Sequence, residues 1–118
     1  MIKTVNKTWG KEEWIVNNEI YCLKRITVNR SLWSSEGRYH YHKIKDETFV
    51  IEEGLLILEI LMNHVPVLNI FKKGDTFRIS PTLRHRFTSE SPKCIFLEVS
   101  THHDDSDSYR EEYLDVRS

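Results

Sequence analysis

Apolar and polar side chains alternate in short runs along most of this chain. In IYCLKRITV at 20–28, Cys22, Ile26 and Val28 fall on one side of an extended segment, because successive side chains of a strand point to opposite faces. The same pattern predicts strands at 39–42 (YHYH), 47–53 (ETFVIEE), 55–62 (LLILEILM), 67–71 (VLNIF), 75–79 (DTFRI), 85–89 (HRFTS) and 94–100 (CIFLEVS). Residues 1–14, with Trp9, Gly10 and Trp14, form a leading strand or arm, and SLWS at 31–34 is ambiguous. The polar tail 101–118 has room for one short helix around Tyr109–Leu114. Nearly all of the four Gly and three Pro fall between the apolar runs, where the chain has to turn. No segment keeps a helical period and nothing repeats. Short strands at regular spacing predict an all-β sandwich or barrel, folded as one domain over 1–118.

Four side chains add chemistry to that frame. His40, His42 and Glu47 lie in HYHKIKDE, and His85 lies in RHRF. Two residues apart on a strand, His40 and His42 look into the same interior. Glu47 opens the next strand on the face of Phe49 and Ile51, and His85 arrives from elsewhere with Leu83 and Phe87 on its face. Three imidazoles and a carboxylate suit a first-row divalent metal. Burying such a set without a metal would cost several kcal/mol, on the order of the desolvation penalty for unpaired polar groups.

Composition removes other classes. The net charge of −1 argues against a nucleic-acid surface. The longest apolar run, 55–62, is interrupted by Glu59 and is too short to span a bilayer, and MIKTVNKTWG has no apolar signal region. Cys22 and Cys94 form no CxxC and sit in apolar runs, so buried thiols and a cytoplasmic setting are expected.

The order of these residues resembles the two signature motifs of the cupin superfamily. The first, G…HxHx4Ex6G, runs from His40 to Gly54 in full, with Gly37 closer to the histidines than the family pattern has it. The second, G-D-x-x-x-I-P-x-G-x-x-H, is similar to GDTFRISPTLRH at 74–85, with Ser80 and Thr82 where Pro and Gly are usual. The resemblance implies a cupin double-stranded β-helix, a jelly-roll barrel, holding one divalent ion per subunit (Zn, Mn, Fe, Co or Ni) in its mouth. Trp9-Gly10, KRI at 24–26, HRF at 85–87 and EVST at 98–101 occur in the order seen in the cupin domain of type II mannose-6-phosphate isomerases. That family's closing D-x-Y-G-R segment is not recognisable in YLDVRS at 113–118. His40, His42, Lys45 and Glu47 match the H-x-H-x-x-K-x-E of cupin-type D-lyxose isomerases. Both comparisons imply aldose–ketose isomerisation of a sugar or sugar phosphate.

Isomerisation needs a base, and Glu98 is the candidate, on a face with Cys94, Phe96 and Ser100. The opposite reading has Ile95, Leu97 and Val99 inward and Glu98 solvated. Lys45 is the candidate to orient a hydroxyl or an enediolate, against the reading of an exposed turn lysine. His102, His103, Asp104, Asp105 and Asp107 read as a solvated tail rather than a second metal site. Arg84 and Arg86 alternate with His85 and point away from it. Lys24 or Arg25 could meet a sugar phosphate, but strand-surface charge is the default reading. Trp9, Trp14, Trp33, Tyr39 and Tyr41 offer interface area for a homodimer. An Fe(II) dioxygenase and a non-catalytic sugar-binding module are the other function classes this residue set allows.

Overall fold

Eleven strands and no α-helix make up the computed structural model, which describes residues 2–30 and 32–112. The strands are β1 (Lys3–Lys7), β2 (Gly10–Asn17), β3 (Tyr21–Asn29), β4 (Tyr39–Tyr41), β5 (Glu47–Glu53), β6 (Leu56–Met62), β7 (Val65–Phe71), β8 (Thr76–Ile79), β9 (His85–Ser89), β10 (Lys93–Thr101) and β11 (Tyr109–Glu111). They form two antiparallel sheets, one ordered β1-β2-β3-β10-β5-β8 and the other β11-β4-β9-β6-β7. All the expected runs became strands. The leading arm is a hairpin, β1 with β2, and Tyr109–Glu111 is a strand rather than the start of a helix. Glu112 has no regular structure, and the rest of that expected helix lies in 113–118, outside the described residues.

Alternation decides which side chains meet between the sheets. Ile26, Val28, Phe49, Ile51, Leu56, Leu58, Ile60, Ile79, Phe87, Cys94 and Phe96 form one core, with Trp9 closing it. Its centre is aromatic: Phe49 lies 4.6 Å from Phe96, and Phe87 lies 5.2 Å from both Phe96 and Trp9, ring centre to ring centre. Each fully buried Phe contributes about 1.5–3 kcal/mol over an exposed one. Phe49 also touches His85, at 6.1 Å between ring centres, so the core is the floor of the site.

Two turns fix the approach to the site. Gly54 has φ +78°, and a Cβ there would stand 2.3 Å from the Lys93 carbonyl oxygen, so the turn after β5 requires glycine. Thr82 stands where the motif has glycine and takes the glycine conformation, φ +74°. Its N–H donates to the His42 carbonyl at 2.6 Å, tying the loop before β9 to the end of β4.

Candidate functional site

The open end of the barrel holds a cavity of about 480 Å³, in the size range of small-ligand pockets. His40 and His85 are directly paired across β4 and β9, and β5 brings Glu47 in from the other sheet. The four expected ligands therefore converge. His40 and His42 rings are 4.5 Å apart, and His40 and His85 rings 5.6 Å apart. Glu47 Oε2 is 3.7 Å from His42 Nε2, and Glu47 Oε1 is 3.4 Å from His85 Nε2. His42, Glu47 and His85 are all buried.

Hydrogen bonds determine which imidazole nitrogens face inward. His42 Nδ1 is 2.8 Å from the Asp107 carbonyl and His85 Nδ1 is 3.0 Å from the Leu83 carbonyl. Carbonyls only accept, so both Nδ1 atoms carry the proton, and the Nε2 lone pairs point toward Glu47. Burial pushes the His42 pKa down, and burial with the neighbouring His85 holds that of His40 well below its ordinary value. These rings are thus neutral donors facing a carboxylate, acceptor against acceptor. His40 Nε2 and Glu47 Oε2 are buried and make no hydrogen bond. A set of this kind calls for a cation, and ligands of one ion at about 2.1 Å would stand about 3.0–3.4 Å apart, near the spacings found. As the side chains stand, no group of three or more His, Cys, Asp or Glu donors among the described residues is arranged to hold an ion. The donor set fits a metal by chemistry and orientation, and would have to close slightly around it.

Lys45 is the cation already beside this wall. Its side chain is 2% exposed, with Nζ 3.3 Å from Glu47 Oε2, 2.6 Å from Glu98 Oε2 and 3.0 Å from His103 Nδ1. Burial alone would lower its pKa, but Glu98 and Glu47 outweigh that and raise it, so Lys45 is an ammonium. Glu98 shows the reciprocal effect: burial would raise its pKa, but Lys45 and then Lys24 pull it down to about 2. Val99 is 46% exposed while Cys94 and Phe96 are fully buried, so Glu98 faces the interior and the solvated reading fails. Lys45 is likewise no exposed turn lysine.

Other expectations need correction. Lys24 is 3% exposed and faces the cavity, within 3.5 Å of Glu12 and 4.0 Å from the centre of the Trp14 ring, because its position on β3 is in phase with Cys22 and Ile26. Arg25 alone of that pair is outside, against Glu52. The tail is not solvated throughout: His103 and Asp107 are buried. The Asp107 carboxylate accepts the backbone N–H groups of Lys43 at 2.9 Å, Ile44 at 3.2 Å and Lys45 at 3.0 Å, and so shapes the turn between His42 and Glu47. Trp9 and Tyr39 are core residues and Trp14 lines the cavity, leaving little of the expected aromatic interface. Arg86 does point away from His85, into a buried contact with Glu59, and Arg84 lies over Tyr41.

No family model and no curated protein matches the sequence. Solved structures do match. KdgF from Halomonas sp. superimposes with TM-score 0.73 at 12% identity, over 88% of this chain and 91% of that one. The capsular polysaccharide assembling protein CapF from Staphylococcus aureus gives 0.81 at 12%, over 96% of this chain and 35% of its own. Oxalate decarboxylase from Bacillus subtilis gives 0.79 at 14%, over 92% and 30%. This chain thus spans about a third of CapF and of oxalate decarboxylase. Likeness at such identity shows the fold, and that fold is the cupin jelly roll the motifs implied.

Proposed function

We propose that this chain is a metal-dependent aldose–ketose isomerase acting on an open-chain sugar or sugar phosphate. The observation that carries the reading is the contact of Glu98 with Lys45, one carboxylate and one ammonium, inside the cavity lined by the three histidines. The resemblance of residues 40–47 to the isomerase motif points the same way. A divalent ion held by His40, His42, Glu47 and His85 would supply Lewis-acid polarisation of the sugar carbonyl. Glu98 is ionised across the physiological range and accepts the proton from the carbon bearing the adjacent hydroxyl. Glu98, whose captured proton exchanges in part with solvent, then protonates the neighbouring carbon while the hydroxyl proton passes from one oxygen to the other, so aldose and ketose interconvert with no net oxidation. Lys45 weakens Glu98 as a base while the two are paired. A sugar hydroxyl that takes over the Lys45 ammonium releases Glu98 and raises its basicity. Phe49 and Phe87 form the apolar floor of that cavity.

Deuterium incorporation at C1 or C2 of mannose, lyxose, fructose and their phosphates in D2O tests the reaction. Glu98→Gln should keep fold and metal yet lose about 10²–10⁴-fold in exchange rate. Exchange by Glu98→Gln at the wild-type rate refutes the assigned base. Failure of the metal-loaded wild type to exchange with any of these sugars refutes the isomerase, and oxygen uptake would then favour the dioxygenase. A homodimer belongs to the same reading, supported by edge strand β7, where Val65, Leu68 and Ile70 are exposed. A monomer by light scattering at micromolar concentration refutes it. A cytoplasmic setting is supported by the two buried free thiols.

A further inference from the structure

The charges around the cavity do not balance, although the chain as a whole carries −1. Its walls include Lys3, Lys7, Lys24, Lys45, Arg38 and Arg110, against Glu12, Glu36, Glu98 and Asp105. Lys24 is taken up by Glu12 and Lys45 by Glu98, while Asp105 pairs with His103. Lys3, Lys7, Arg38 and Arg110 then face Glu36 alone, and none of these four makes an ion pair among the described residues.

The two arginines are placed with care. Arg110 on β11 is directly opposite His40 on β4, and cross-strand partners point to the same face of a sheet. Arg38 has extended backbone and is two residues before His40, which puts it on that face as well. Arg110 and Arg38 therefore flank the outermost histidine. The segment before Arg38 is a left-handed turn, with φ +52° at Ser35, +56° at Glu36 and +85° at Gly37. Left-handed non-glycine residues each cost about 1–3 kcal/mol and persist where surrounding contacts hold them. Here the Ser35 carbonyl accepts both the Arg38 N–H at 3.0 Å and its Nε–H at 3.1 Å, and Arg86 grips the Gly37 carbonyl at 3.0 Å. The Arg38 fork is anchored through Nε, and its two terminal nitrogens have no hydrogen-bond partner among the described residues.

We infer that the cavity mouth is an anion subsite, where Arg38 and Arg110 hold the phosphate or carboxylate of an acidic sugar whose carbonyl end lies against the histidines. The inference rests on the site proposed above but is tested by binding alone, so it stands or falls apart from turnover. Calorimetric titrations of the metal-loaded protein with fructose, fructose 6-phosphate and glucuronate compare a neutral sugar, a phosphate and a carboxylate. Wild type should bind at least one of the two anions about 10-fold or more tighter than fructose, and whichever it prefers names the anionic group. Arg110→Gln should weaken that anion about 10–100-fold, the range for a charge-assisted pair, and leave fructose unchanged. Arg38→Lys, which keeps the charge without the fork, should weaken it less than Arg38→Gln. Equal binding of all three ligands by the wild type overturns the inference. So does an anion preference undiminished in the Arg38→Gln, Arg110→Gln double variant, which would place the anion on the metal instead.

Discussion

Lys45→Met removes the one ammonium that serves two buried carboxylates. Its Nζ is 2.6 Å from Glu98 and 3.3 Å from Glu47, and its side chain is 2% exposed. Glu98 is only 12% exposed, so solvent screens the contact little. The fall of the Glu98 pKa from 4.5 to about 2, where burial is outweighed by Lys45 first and Lys24 second, corresponds at about 1.4 kcal/mol per unit to about 3 kcal/mol, of which Lys45 supplies the larger part. Breaking a buried pair by deleting one partner costs about 3–5 kcal/mol, the same range from a different direction. Urea or thermal unfolding of the metal-free protein should therefore show Lys45→Met destabilised by about 3 kcal/mol, roughly 12 °C in a domain this size. Adding Glu98→Gln should recover part of that loss, because the stranded charge is gone. The pH dependence has a definite sign. Glu98 is depressed, so its contribution is present above about 4.5 and lost as pH falls through about 2; Lys45 is raised, so its contribution is present below 10.5 and lost above its folded value. The wild-type advantage over Lys45→Met should hold from about pH 4.5 to 10.5 and shrink outside that window. A Lys45→Met variant within 1 kcal/mol of wild type at pH 7, or no recovery in the double variant, refutes the argument, the threshold being about a third of the expected effect.

Purified without chelators, the protein should carry close to one divalent ion per subunit by elemental analysis, and the His42→Ala, His85→Ala double variant should carry none; full retention would sink the metal site. Asp107→Ala uncaps three backbone N–H groups in the turn before Glu47 and should cost about 2–3 kcal/mol together with weaker metal binding, since charge-assisted hydrogen bonds contribute about 1.5–3 kcal/mol. Chemical denaturation and a metal competition titration check both effects, and unchanged metal affinity would show that the turn holds its shape without the cap.

Alternation and turn residues made the strands legible, and the motif spacing put His40, His42, Glu47 and His85 at one end of the barrel. Glu98 was only half legible: Cys94 and Phe96 share its face, but Ile95, Leu97 and Val99 make the other face as apolar, so a period of two alone did not decide which lies inside. Lys24 carried that signal too, in phase with Cys22 and Ile26, but a lysine in a strand is outside far more often than inside. His103 and Asp107 were not legible. They lie in a polar segment with no period, and their partners, Lys45 and the 43–45 backbone, are about 60 residues away in sequence. Only folding brings them together. Thr82 sits between these cases: the motif marked a glycine position, and the chain keeps glycine geometry with a threonine.

The Asp107 cap has a consequence for how the molecule is made. The turn that presents Lys45 and Glu47 is emitted by the ribosome long before the residue that shapes it, and Arg110 follows later still. A nascent chain ending at residue 101 already has every strand of the six-stranded sheet, but its turn amides at 43–45 lack their acceptor and His42 lacks the carbonyl that sets its tautomer. The barrel can therefore begin to fold during synthesis while its histidine-lined end cannot be finished, and on the proposed reading any metal would be held firmly only after the last described strand has docked on β4.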